Sequence, residues 1–463
     1  MLETNALRRR EHYDLIGQVV GDVAAEGTTN RMNEQLHYAF DAAGNLQYRT
    51  NNTLVQNFQV NTLNELTANT NGGRLTVMGT TTSGATSVTV NNTNALRYGD
   101  ATFAATNMPL TTSYAAIAAD SLGRHSTNTV TVSLSTNNAL YQYDGNGNLT
   151  NDGLRSFTYD DENQLIQVWV TTNWLSQFSY DAKMRRRIRQ EFTWQGDQWV
   201  QTNQVYYLYD GNEVIQERNI NNLPTTTYTR GQDLSGSLEG AGGIGGLLSM
   251  TLNTVLGPSS SNSMYYHSDG NGNVTTLVNP SQYIVAKYLY DAFGNMLSAA
   301  GSLAQQNLYR FSSKEAHLNS GLVYYVYRYY DPNLQRWPNR DPLTSGPRNN
   351  FSIRGLVIEE YPFVFVHNNA LSGYDAFGLC SRSCCMNSCW VGESICQTAA
   401  PFVCLLGCGA SCGASCAGTG PLAPLCLELC VPACVGSCEA VVAASCGYAG
   451  AACITACQFC SSP

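Results

Sequence analysis

Apolar and polar residues alternate along much of the chain, as in Gln204-Val205-Tyr206-Tyr207-Leu208-Tyr209, a period that predicts strand and not helix. The alternating runs end in a recurring signal: an aromatic residue, aspartate, small residues including glycine, asparagine, then an apolar residue. Copies are Tyr13-Asp14, Phe40-Asp41-Ala42-Ala43-Gly44-Asn45-Leu46, Tyr143-Asp144-Gly145-Asn146-Gly147-Asn148-Leu149, Tyr159-Asp160, Tyr180-Asp181, Tyr209-Asp210-Gly211-Asn212 and Tyr290-Asp291-Ala292-Phe293-Gly294-Asn295-Met296. Aspartate and asparagine bond their own backbone two residues on, and glycine takes a positive φ. Each copy therefore predicts a strand ending in a turn, and repetition predicts a mainly β fold whose sheet grows hairpin by hairpin into an extended, curving spiral.

The repeat lapses after Asp41 and resumes at Asp144. The threonine-rich stretch between, with Val130, Val132 and Leu134 alternating against Thr129, Thr131 and Ser133, predicts short strands of a β-sandwich of immunoglobulin-like type inserted into the array. The expected division is repeats over 1–68, the insertion over 69–137, repeats over 138–300, a distinct block over 301–379 and a tail over 380–463. About two to four domains suit this length.

Composition changes the picture at one point. All 17 cysteines lie between Cys380 and Cys460, and the joint follows Tyr374-Asp375-Ala376-Phe377-Gly378-Leu379. The tail is cysteine, alanine and glycine, with Arg382, Glu393, Glu428 and Glu439 as its charged side chains. A joint this sharp reads as a carrier and a payload. With a formal charge of -9, the chain lacks the basic footprint of nucleic-acid binding. The compact run Arg185-Arg186-Arg187-Ile188-Arg189 reads as solvated strand residues. Met1-Leu2-Glu3-Thr4 does not begin a secretory signal, yet so many thiols point to an oxidising compartment. A secreted or cell-surface location follows, by another export route or as the C-terminal part of a longer chain.

Candidate loops for other chemistry read as structural. The glycine-rich Leu234 to Gly246 lacks the lysine of a phosphate loop and predicts a bend where backbones approach closely. Asp144 to Asn148 and Asp269 to Asn273 open like calcium loops, but Arg155 and Pro280 stand where the closing glutamate belongs. His267 beside Asp269 reads as a strand residue. No cofactor and no resident metal are expected.

The aromatic-aspartate repeats, followed by Tyr309-Arg310-Phe311-Ser312-Ser313-Lys314-Glu315, then Gly321-Leu322-Val323-Tyr324-Tyr325-Val326-Tyr327-Arg328-Tyr329-Tyr330-Asp331-Pro332 and Arg340-Asp341-Pro342, resemble the RHS/YD-repeat proteins. The last stretch resembles their repeat-associated core domain. The resemblance implies a β-cocoon, here partial, around a variable C-terminal toxin, with the core domain as plug and internal aspartyl protease. It places the protease aspartates on Asp341 and Asp375, the supporting arginine on Arg328 and the cut between Leu379 and Cys380. It also implies as partners the chain's own tail as cargo, the remainder of a larger shell or a partner chain, and an immunity protein. Two carboxylates held close do not both ionise cheaply, so one keeps a proton while the other activates water; arginine steadies the charge. Alanine replaces two of the family's prolines, at Ala370 and Ala376, and Arg348 to Glu360 looks inserted. Moreover, Tyr374 to Gly378 is identical to Tyr290 to Gly294. A structural turn therefore stays open beside catalysis, and with it a non-catalytic adhesive or structural surface protein.

In the tail, Cys404, Cys408, Cys412 and Cys416 recur every fourth residue, as do Cys426, Cys430, Cys434 and Cys438. An antiparallel helical hairpin would pair 404 with 438, 408 with 434, 412 with 430 and 416 with 426, giving a small α-helical, disulfide-rich tail. Pro432, Gly409 and Gly413 oppose regular helix there. The rivals are an all-sulfur metal site at Cys457 and Cys460, and membrane insertion of the uncharged stretches Ala399 to Gly418 and Ala440 to Cys457.

Overall fold

A computed structural model describes residues 7–81, 84–111, 113–131, 139–253, 262–342 and 362–379. The expected disulfide hairpin, Cys380 and the sulfur site of the tail lie outside them. So does the insertion Arg348 to Glu360.

The repeats build two antiparallel sheets in which each strand lies beside its neighbours in sequence. The first holds seven strands, from Leu7–Tyr13 to Leu66–Gly73, closed by Ala139–Leu140. The second holds fourteen, from Gln142–Tyr143 to Met296–Ala300. The described residues hold no α-helix, and their 3-10 turns include Phe311–Ser313 and Val366–Asn368.

The repeat signal accounts for the hairpins in detail. Asp41 Oδ1 accepts the amides of Ala43 and Asn45 at 2.9 and 2.8 Å, and Asp144 repeats this with Asn146 and Asn148, both at 2.9 Å. The same pair of bonds holds the turns at Asp160, Asp181, Asp269 and Asp291. Just before the turn, ladder register slips at Ala39/Phe40, Thr158/Tyr159, Ser179/Tyr180 and Leu289/Tyr290. A bulge at the same place in these hairpins adds local twist. The tyrosine hydroxyl then ties one repeat to the one before: Tyr209 donates to Arg186 O at 2.7 Å and Tyr290 to Val274 O at 2.8 Å, each just past the preceding turn.

Residues Leu75–Thr131 form two small sheets, of three and four strands, over their own core of Val88, Val90, Phe103, Ala105, Met108 and Tyr114. The first large sheet runs on to Gly73 before they begin, because Gly72 and Gly73 still pair with Val55 and Leu54. That is five residues past the boundary read from composition.

Residues 309–341 and 362–379 pack as a plug against both large sheets. Its aromatic heart is Tyr325, Tyr330, Trp337 and Phe365, with the Tyr330 and Phe365 rings 4.0 Å apart and Trp337 edge-on to both. Each such buried ring is worth about 1.5–3 kcal/mol by area. The turns carry the plug: Asn368 donates to Gly44 O, Asn271 to Ala370 O, Asn295 to Pro332 O and Tyr330 to Phe293 O.

Buried ion pairs complete the contact and overturn one expectation. In the strand Arg186–Gln195, Arg186 is fully buried, not solvated. Its guanidinium pairs with Glu315 and lies 4.3 Å from the centre of the Tyr324 ring, while Arg189 donates to the other Glu315 oxygen at 2.9 Å. Arg187 between them is exposed: it is the extra residue where the register slips from Ile188 to Arg186, and this bulge lets Arg186 and Arg189 face the same way.

Candidate active site

Four segments of the plug are laced together around Arg328. Trp337 N donates to Phe363 O at 2.9 Å and Asp341 N to Pro362 O at 3.1 Å, which fixes the approach to Asp341. Tyr327 N donates to Phe377 O at 3.2 Å, which brings in the last segment. Gly378 takes φ +79° there, and a Cβ on it would meet the Tyr325 and Arg328 Cβ atoms at 3.2 and 3.3 Å. Glycine is therefore favoured by its conformation, and the space beside it is tight.

The Arg328 side chain is buried, its guanidinium 4.1 Å from the centre of the Trp337 ring. Every nitrogen is used. Nη1 donates to Pro362 O at 3.3 Å and Nε to Gly378 O. Nη2 donates to Asp341 Oδ2 at 2.7 Å and lies 3.8 Å from Asp375 Oδ2. Burial lowers the Arg328 pKa, and the charges of Asp341 and Asp375 oppose that shift. The three residues singled out in sequence thus converge on one guanidinium nitrogen, with the carboxylates at unequal distances. Asp375 spends its other oxygen on the chain: Oδ1 accepts the amides of Phe377, Gly378 and Leu379 at 3.2, 2.8 and 3.1 Å. Leu379 is half-buried and ends the described residues.

One residue escaped the sequence reading. Lys314 is buried and donates to Ala376 O at 2.8 Å and to Gly242 O. Burial pulls its ammonium down to about 8, against the charges of Glu213, Asp375 and Asp233. Its neighbours in sequence, Ser313 and Glu315, gave no sign of burial. The glycine-rich stretch is indeed a close approach: a Cβ on Gly242 would lie 1.9 Å from Ala376 O.

Fold and site together define a β-repeat chain whose plug gathers two carboxylates on one arginine. No family model matches the chain. It is 28% identical over 247 residues to the tRNA3(Ser)-specific nuclease WapA of Bacillus spizizenii and 26% identical over the same length to the tRNA nuclease WapA of Bacillus subtilis. Each match covers 52% of this chain and 9% of the relative, so the chain spans a small part of the length of these proteins. Among solved structures, the Photorhabdus luminescens Tc holotoxin pore carrying a TccC3 variant matches 81% of this chain and 18% of its own, with TM-score 0.40 and 16% identity. The crystal structure of TcdB2-TccC3-TEV matches with TM-score 0.40 and 17% identity over the same shares. The WapA similarity supports an RHS-type repeat chain and does not bear on the cysteine-rich tail. No helix among the described residues is long and apolar enough to cross a membrane.

Proposed function

We propose that this is an RHS-type toxin carrier, secreted or displayed at the cell surface for competition between bacteria, that cuts its own chain after Leu379 and frees the cysteine-rich tail. The observation that carries the reading is the placement of Asp341 and Asp375 on the same Arg328 nitrogen, at 2.7 and 3.8 Å. Of the two carboxylates one keeps a proton: the ionised one takes a proton from water as the water oxygen adds to the Leu379 carbonyl carbon. The protonated one supplies its proton as the bond to the Cys380 nitrogen breaks, leaving a carboxylic acid and an amine. Arg328, which also holds Gly378 O, steadies the developing negative charge. In this reading the tail is cargo stapled by disulfides, the module at Leu75–Thr131 is an immunoglobulin-like spacer, and a larger shell and an immunity protein are partners.

The three turn amides on Asp375 Oδ1 favour a second reading, an adhesive repeat protein in which Asp375 only shapes a turn. Intact mass of the purified chain separates the two. Cutting after Leu379 that disappears in Asp341→Asn and Asp375→Asn supports the carrier; a stable uncut chain with both aspartates present supports the adhesive reading.

A further inference from the structure

We propose that Lys314 and the glycine loop Leu234 to Gly246 form a clamp on the Ala376 carbonyl that positions the chain for cutting after Leu379. The inference rests on the self-cleavage reading and adds a positioning residue to it. The clamp has two jaws. Gly242, at φ +62°, brings its backbone against Ala376, an approach that any side chain would block. Lys314 then bridges the two strands of chain by donating to the carbonyls of both Gly242 and Ala376. The loop itself is held by Asp233, whose Oδ2 accepts the amides of Ala241 and Gly243 at 2.7 and 3.1 Å.

Ala376 directly follows Asp375, so the clamp fixes the near end of the turn whose far end is Leu379. Arg328 holds Gly378 O on the other side. The turn is therefore gripped at both ends, by the repeat sheet's loop through Lys314 and by the dyad's arginine. A buried ammonium satisfied by carbonyls is a costly way to hold packing alone, and an apolar residue of similar volume would be the cheaper filler.

The charged groups facing Lys314 are Glu213, Arg230, Asp233 and Asp375, and the Tyr325 and Phe377 rings lie 5.5 and 5.9 Å from Nζ. Glu213 is paired with Arg230 at 2.5 Å. With its ammonium held to about 8, Lys314 loses its proton on the alkaline side of neutrality, and the clamp weakens there.

The test uses the full chain made in cell-free synthesis at set pH, with the fragment ending at Leu379 followed by mass over time. Lys314→Met is expected to cut about 100-fold more slowly, the scale of a small misplacement of reacting groups. Wild-type cutting is expected to fall as pH passes 8, and Lys314→Arg, which keeps its charge, is expected to cut with that fall moved to higher pH. A wild-type rate in Lys314→Met, or the same alkaline fall in Lys314→Arg and wild type, overturns the inference. Should Lys314→Met fail to fold, the Lys314→Arg profile decides alone. Asp341→Asn is the control: if it still cuts, self-cleavage by the dyad falls and the clamp with it; if it is inert while Lys314→Met cuts normally, only the clamp falls.

Discussion

The pentapeptide Tyr-Asp-Ala-Phe-Gly occurs twice, and its two copies have different surroundings. At Tyr290 to Gly294 it closes a repeat hairpin. Asp291 Oδ1 takes the amides of Phe293 and Asn295, and its Oδ2 takes the Asn295 side chain at 2.8 Å. At Tyr374 to Gly378 the same Oδ1 bonds recur, but Leu379 stands where Asn295 stood. Oδ2 of Asp375 instead faces Arg328 and, beyond it, Asp341. Turn geometry is local and transfers between copies. The partner of the second carboxylate oxygen is not: it depends on the residue after the pentapeptide and on the cation that the rest of the plug brings.

The largest expected contrast is in cutting. Asp375→Asn should slow it by about 100- to 10,000-fold, the usual weight of an acid-base group, whereas Asp291→Asn should leave the rate of fragment formation within about twofold. Equal effects of the two substitutions would erase the distinction between the copies.

A second contrast is in stability against pH. Burial, with help from the charge of Asp22, pushes Asp291 up to about 6, while bonds from Asn295 and Phe293 oppose the shift. Its folded pKa is above its ordinary value, so the folded state holds the proton more tightly. That contribution is full below about pH 4 and is lost as pH rises through 6, a change on the order of 2–3 kcal/mol. Urea unfolding of wild type and Asp291→Asn between pH 4 and 7 should show this slope only in the wild type. An unchanged slope in the variant would remove Asp291 as its source.

The smallest effect is expected from making the second copy resemble the first. Leu379→Asn supplies an amide that competes for Asp375 Oδ2 and should slow cutting by about tenfold, or about 1.4 kcal/mol in barrier. A rate equal to wild type would mean that the residue after the pentapeptide is not what separates the copies.

The hairpins were legible because their signals are short-range: Asp41, Gly44 and Asn45 write a turn within one stretch of chain. That Asp341 and Asp375 meet on Arg328 was readable only through resemblance, since nothing in their spacing says that Arg328 gathers them. What stayed hidden joins residues far apart in sequence. Arg186 reads as one of several surface arginines until Glu315, 129 positions later, supplies its partner. Lys314 looks solvated until Gly242 and Ala376 close over it. Asp22, which lies in a plain strand without turn chemistry, becomes visible only when its Oδ2 accepts the Ala292 amide at 3.0 Å.

The most direct test of the central claim is the mass of the chain after expression and purification, without and with Asp375→Asn. The account predicts that the wild type yields a fragment ending at Leu379 and one beginning at Cys380, while Asp375→Asn stays whole. A wild-type chain of full mass, or a variant cut at the same bond, would contradict it.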